Sequence, residues 1–184
     1  MRNIFIIIIL STLSVKSQVI NYQNFNNEVF NKILFNKVND YRKSEGLDVV
    51  QHSKKAEIMV SKKNTEKMVS DDILYHVHFD FADKNLQDEM DKEYEETMKK
   101  LNLKKTGKMF LVTEEIIAMT WNTSTTYEEL AKTVLQLWIN SKPHNEALHT
   151  MFGDKTTPGV GSCYSKVGKN GKIFYTFNFF SRKN

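Results

Sequence analysis

The stretch from Pro158 to Phe180, "PGVGSCYSKVGKNGKIFYTFNFF", limits the possible folds more than any other. Two runs of strand-forming residues flank Gly168-Lys169-Asn170-Gly171, and the Asn-Gly pair supplies the positive φ that a hairpin turn needs. Ile173, Tyr175, Phe177 and Phe179 alternate as in a strand with one buried face. Everything before the hairpin reads mostly as helix. Apolar residues recur at helical spacing through Val29, Ile33, Leu34, Val38 and Tyr41, and Gly46 is placed to close that helix in the left-handed region. A second helix runs through Ala56, Met59, Val60, Asn64 and Met68. A third follows Leu86, Met90, Tyr94, Met98 and Leu101, with alternating charges that predict a solvated face. Helices first and a hairpin last give an α+β class, with helices packed on an antiparallel sheet.

The fourth helix has the clearest start. Thr125 or Thr126 can cap its first turn, with Glu128 or Glu129 as the reciprocal partner. Leu130, Val134, Leu137 and Trp138 then form its apolar stripe. Pro143 cannot continue a helix and disfavours helical geometry before it, so the helix is expected to end near Ser141, with His144 just beyond.

Residues 1–17, "MRNIFIIIILSTLSVKS", place one early basic residue, Arg2, before an apolar run from Ile4 to Leu10. The small residues Val15 and Ser17 follow, in the order of a secretory signal peptide cleaved before Gln18. The apolar run is well short of the roughly 20 residues that span a bilayer. The expected organisation is a signal peptide over 1–17, a polar leader over 18–28 and one domain over 29–184, secreted or periplasmic, with no membrane span in the mature chain. Losing Arg2 and Lys16 from the 26 basic residues leaves 24 against 22 acidic ones, a net charge of +2. No Lys/Arg stripe interleaved with aromatics accompanies it, which argues against a nucleic-acid partner. The single cysteine, Cys163, permits no internal disulfide. It lies in a strand-like run, where a lone cysteine is a small buried hydrophobe and not a nucleophile.

No glycine-rich phosphate loop and no Gly-x-Ser-x-Gly elbow is present, which removes support for nucleotide binding and α/β-hydrolase chemistry. Asn122-Thr123-Ser124 is a formal N-glycosylation acceptor. The five histidines, His52, His76, His78, His144 and His149, form no local metal motif: none is spaced by four as on a zincin helix. A site would have to be assembled from distant segments.

Five segments, in order, resemble the CAP superfamily of cysteine-rich secretory, antigen-five and pathogenesis-related proteins. "NKVNDYRKSEGL" is similar to its opening helix, with an Asn and an Arg three apart before a Gly-Leu. "LYHVH" resembles the segment of its first histidine, and "EEIIA" its Gly-Glu-Asn-Ile-Ala motif. "LQLWINSKPHNEAL" is close to a bacterial Trp-x-x-Ser-x-Gly-His form, and "GVGSCYS … KIFYTFNF" to the final strand pair. The resemblance spans roughly Phe30 to Phe180. It implies a three-layer α-β-α sandwich, with a small antiparallel sheet between helices and a cleft holding two histidines and one or two acids. His144 then takes the place of the second histidine and Glu115 that of the motif glutamate. His76 fits the first histidine because Leu74 precedes it by two, and His78 is its rival. Ser141 stands where many eukaryotic members carry a second glutamate.

Two function classes follow. One is a secreted binding module whose cleft holds a metal ion, lipid, peptide or protein partner; the missing second glutamate favours it, since acid–base work needs a group on each side of the reacting bond. The other is a metal-dependent hydrolase or peptidase, in which His76 and His144 hold Zn2+ and Glu115, the candidate catalytic residue, activates water. Two histidines leave such a zinc one protein ligand short of the usual three.

Overall fold

The first helix, α1 (Asn27–Ser44), starts at Asn26, whose side-chain oxygen accepts from the Val29 amide, and gives way to Gly46 at a φ of 74°. It opens a computed structural model that describes residues 18–76, 83–102, 109–152 and 159–183. The expected signal peptide and His78 lie outside the described residues. After α1 come β1 (Gln51–His52), α2 (Lys54–Ala56), a π-helical turn (Glu57–Ser61) and α3 (Lys62–Asp71), the last three forming one helical run. Next are α4 (Lys84–Leu101), β2 (Met109–Trp121), α5 (Tyr127–Asn140) and α6 (Lys142–Leu148). The hairpin closes the chain as β3 (Val160–Val167) and β4 (Lys172–Lys183), with Asn170 and Gly171 at φ of 56° and 76°.

The sheet order is β1-β3-β4-β2. β3, β4 and β2 are antiparallel, while the short β1 joins β3 in parallel, so the sheet is mixed at one edge. One layer of helices, α1, α5 and α6, covers one face, and α2, α3 and α4 cover the other. The α-β-α sandwich that the motifs imply is therefore present. The long strand β2 had no counterpart in the periodicity of the sequence.

β4 departs from the half-buried strand that its alternation suggested. Ile173, Tyr175, Phe177 and Phe179 join the core under α1 and α5, but Phe174, Thr176, Asn178 and Phe180 are equally buried on the other face. As a central strand covered by helices on both sides, β4 has no solvent face. Its polar members are paired: the Ser61 hydroxyl donates to Asn178 Oδ1 at 2.8 Å, and the Thr65 hydroxyl to Thr176 Oγ1 at 2.9 Å. Such pairing is what makes buried polar groups tolerable.

Two more differences are local. Leu101 is exposed, so the apolar face of α4 is Leu86, Met90, Tyr94 and Met98. The charged side of α4 is also only partly solvated: Glu93 accepts from the Ser53 hydroxyl and from the Lys54 and Lys55 amides, at 2.8 and 3.2 Å for the amides. It thereby closes the first turn of α2, where unsatisfied amides attract a carboxylate. At the start of α5, Thr126 and Glu129 form the capping box. Residues of the polar leader dock beside it, with Ile20 N–H donating to Thr125 O at 2.9 Å.

Asn39 and Arg42, three apart on α1, are structural. The Asn39 carboxamide takes both backbone groups of Val50, at 2.9 and 3.0 Å. Arg42 is buried and donates from Nε to Asp48 O at 2.9 Å and from Nη1 to Leu148 O at 2.7 Å. Its guanidinium also lies over the rings of Phe152 and Phe179. Cys163 is buried, donates to Asn31 O at 3.2 Å, and burial pushes its thiol pKa well up, as expected of a structural cysteine.

Candidate functional site

Alternation along β2 decides where its side chains go. Ile116 and Ala118 face the α1 and α5 layer, while Ile117 and Met119 face α3. Glu115 shares the α3 face and stands opposite Asn178 in the β2–β4 register. There it meets two carboxamides: Asn64 Nδ2 of α3 donates to Glu115 Oε2, and Asn178 Nδ2 donates to the same oxygen at 3.1 Å. Both asparagines are buried. The other oxygen, Oε1, pairs with His76 Nδ1 at 2.9 Å. The Glu115 side chain is 12% exposed and that of His76 52%, so the acid is recessed and the imidazole stands at the mouth.

His144 belongs to the other helical layer, on α6, which packs against β2. Trp138 fixes the end of α5 against β2 by donating its indole N–H to Ile117 O at 3.0 Å. The chain then breaks at Ser141, and α6 packs against β2. Pro143 is therefore not only a terminator. It sits in the first turn of α6, where its missing N–H leaves no bond unmade. The turn that it starts carries His144, and α6 is tied to α1 by Arg42 at Leu148 O and by the Tyr41 hydroxyl at Asn145 Oδ1, 2.8 Å. Burial, and then the nearby charge of His76, hold the His144 pKa below the ordinary histidine value. The two imidazoles are thus within electrostatic reach at the β2 edge of the sheet.

Of the residues expected in the cleft, His76 and Glu115 are paired directly, while His144 makes no hydrogen bond to either among the described residues and is linked to them only through the charge of His76. Ser141 lies at the α5–α6 junction, where its amide donates to Trp138 O and its carbonyl accepts from Asn145 N–H. Among the described residues its side chain makes no hydrogen bond to His76 or Glu115. His78 is outside the described residues. Asn64 and Asn178 were not anticipated. Their signals were present, since Asn64 occupies an apolar-stripe position and Asn178 interrupts an aromatic run. Among the described residues, the buried Asn64 Oδ1 atom has no hydrogen-bond partner beside the carboxylate.

A zinc ion finds part of what it needs here. The Glu115–His76 pairing leaves His76 Nε2 outward, as in sites where a carboxylate orients a metal-binding imidazole. However, both Glu115 oxygens are engaged, and among the described residues no group of three or more His, Cys, Asp or Glu could hold a metal ion. The donor set therefore falls short of a catalytic zinc centre.

No family model and no curated protein matches the chain. Proteins with the cysteine-rich secretory, or SCP, domain of the CAP superfamily do stand among the solved structures that match it. An outer surface protein from Borrelia burgdorferi is similar in fold, with a TM-score of 0.57 and 19% identity over 91% of this chain and 99% of that one. A cysteine-rich secretory protein from Staphylococcus aureus matches at 12% identity and an SCP-domain extracellular protein from Bacillus anthracis at 14%, each with a TM-score of 0.47 over 85% of this chain. The chain spans 40% and 41% of those two proteins.

Proposed function

We propose that the chain is an exported CAP-like domain acting as a binding module, with His76, Glu115 and His144 as the surface that meets the ligand. The observation carrying this reading is the way Glu115 is held. Two buried carboxamides fix one carboxylate oxygen, and the other orients an exposed imidazole. Such fixed orientation at an exposed group is what a recognition site needs. Asn64 Oδ1, which has no partner among the described residues, supports it, since an unpaired buried acceptor costs about 1–3 kcal/mol and calls for an explanation at the site where it occurs. The ligand class is a metal ion, lipid, peptide or protein. Export rests on the order of residues 1–17.

The competing reading, a metal-dependent hydrolase, is favoured by the outward His76 Nε2 and disfavoured by the ligand count. Calorimetric titration with Zn2+ at neutral pH, beside a peptide-hydrolysis assay on the same sample, separates the two. The binding module predicts no turnover in any sample and, where the ligand is a metal ion, saturable binding that His76→Ala and His144→Ala each abolish. Turnover that Glu115→Gln removes would replace it with the hydrolase. Zinc binding that survives in His144→Ala would remove the cluster as the metal site.

A further inference from the structure

A second concave surface lies at the opposite edge of the sheet, where β1 is the outermost strand. One face of α1 and the segment from Val49 to His52 enclose a cavity of about 600 Å3 that ends at Glu57. Its size lies within the ~300–1,000 Å3 range of ligand sites.

The backbone there has an unusual arrangement. Gln51 N–H donates to Gly159 O at 2.8 Å and Ser53 N–H to Gly161 O at 2.9 Å, so these two residues face β3. Successive residues of a strand turn their backbone groups to opposite sides. Val50 and His52 therefore point outward, toward α1. The Asn39 carboxamide takes both backbone groups of Val50, as a neighbouring strand would. The next outward pair, on His52, makes no backbone hydrogen bond among the described residues. An open rung beside a plugged one is a template for another extended chain.

The side chains around the rung suit an extended backbone. Asn36 and Gln51 offer donors and acceptors to peptide groups, while Phe35 and the half-exposed Val49 supply an apolar wall. The lining holds two acids, Glu28 and Glu57, and two lysines, Lys32 and Lys54, and the buried Glu57 is already met by Lys54 and by His52 Nε2 at 2.8 Å. That charge balance fits an uncharged backbone and not an ionic ligand. We infer that this groove binds an extended, uncharged peptide segment of a partner protein, which adds to the sheet at His52.

The experiment is amide NMR on the labelled chain with a pool of N-acetylated, C-amidated pentapeptides built from Thr, Val and Ser. The pool should shift the His52 amide and its neighbours in β1. The shift should vanish when the pool is N-methylated along its backbone, because the ladder donors are gone. It should also vanish in Asn36→Trp, whose ring fills the groove from an exposed position on α1. No shift at His52, or an equal shift with the N-methylated pool, would overturn the inference. So would chitotriose shifting the same amides while the peptides leave them still, which would make the groove a sugar site.

Discussion

Arg42→Ala is expected to destabilise the chain by about 3–5 kcal/mol, through two carbonyls left without donors and the cavity left by the side chain. Asp48 O and Leu148 O both accept from the buried guanidinium. The Phe152 and Phe179 rings, 5.1 and 5.5 Å from its centre, lose their cation. Burial lowers the Arg42 pKa, yet an arginine stays protonated in such a setting, so the interactions lost are those of a charge. Arg42→Met separates the causes, because it restores most of the volume and none of the donors. It should recover only a minor part of the loss. Urea denaturation reads both variants as a fall in midpoint at unchanged slope. A loss below about 1 kcal/mol in Arg42→Ala would mean that the two carbonyls find water instead.

Trp138→Ala should cost a similar amount, about 3–5 kcal/mol, for removing a large core side chain. The indole is fully buried, touches Phe177 edge-on with ring centroids 6.2 Å apart, and is the donor to Ile117 O. Trp138→Phe keeps much of the apolar volume but leaves that carbonyl unmet, which costs about 1–3 kcal/mol on its own. The order wild type, Trp138→Phe, Trp138→Ala should appear in denaturation midpoints. Equal losses in the two variants would show that packing contributes nothing beyond the hydrogen bond. Typical domains hold only about 5–15 kcal/mol in all, so Arg42→Ala or Trp138→Ala alone removes a large share.

The helices and the hairpin were legible because they follow from short-range rules. A stripe of apolar residues, a Thr–Glu capping box and an Asn-Gly turn each specify local geometry without help from distant residues. β2 was not legible. Thr113, Glu114 and Glu115 interrupt its apolar run, and the reason for an acid in a buried strand lies on α3 and β4. The double burial of β4 was hidden for the same reason. Thr176 and Asn178 look like solvent-facing positions, yet Thr65 and Ser61 pair with them under the helical layer. In the site, the His76–Glu115 pair was legible through motifs. Asn64 and Asn178, which fix the carboxylate, lie 51 and 63 residues from Glu115, and no spacing rule joins them. Pro143 was read as a stop because Ser141 ends one helix. That the same residue starts the next helix depends on how α6 docks on β2.

The proposal that His144 shares one site with His76 and Glu115 is tested most directly by titrating the histidine rings by NMR, in the wild type and in His76→Ala. Burial and the charge of His76 both disfavour the charged form of His144. Its ring should therefore stay neutral to a lower pH than an ordinary histidine, one with a pKa of about 6.5. Removing His76 takes away a like charge, so the His144 pKa should rise in His76→Ala while remaining below the ordinary value because burial persists. A His144 pKa at or above about 6.5 in the wild type, unchanged by His76→Ala, would show that the two histidines do not share a site.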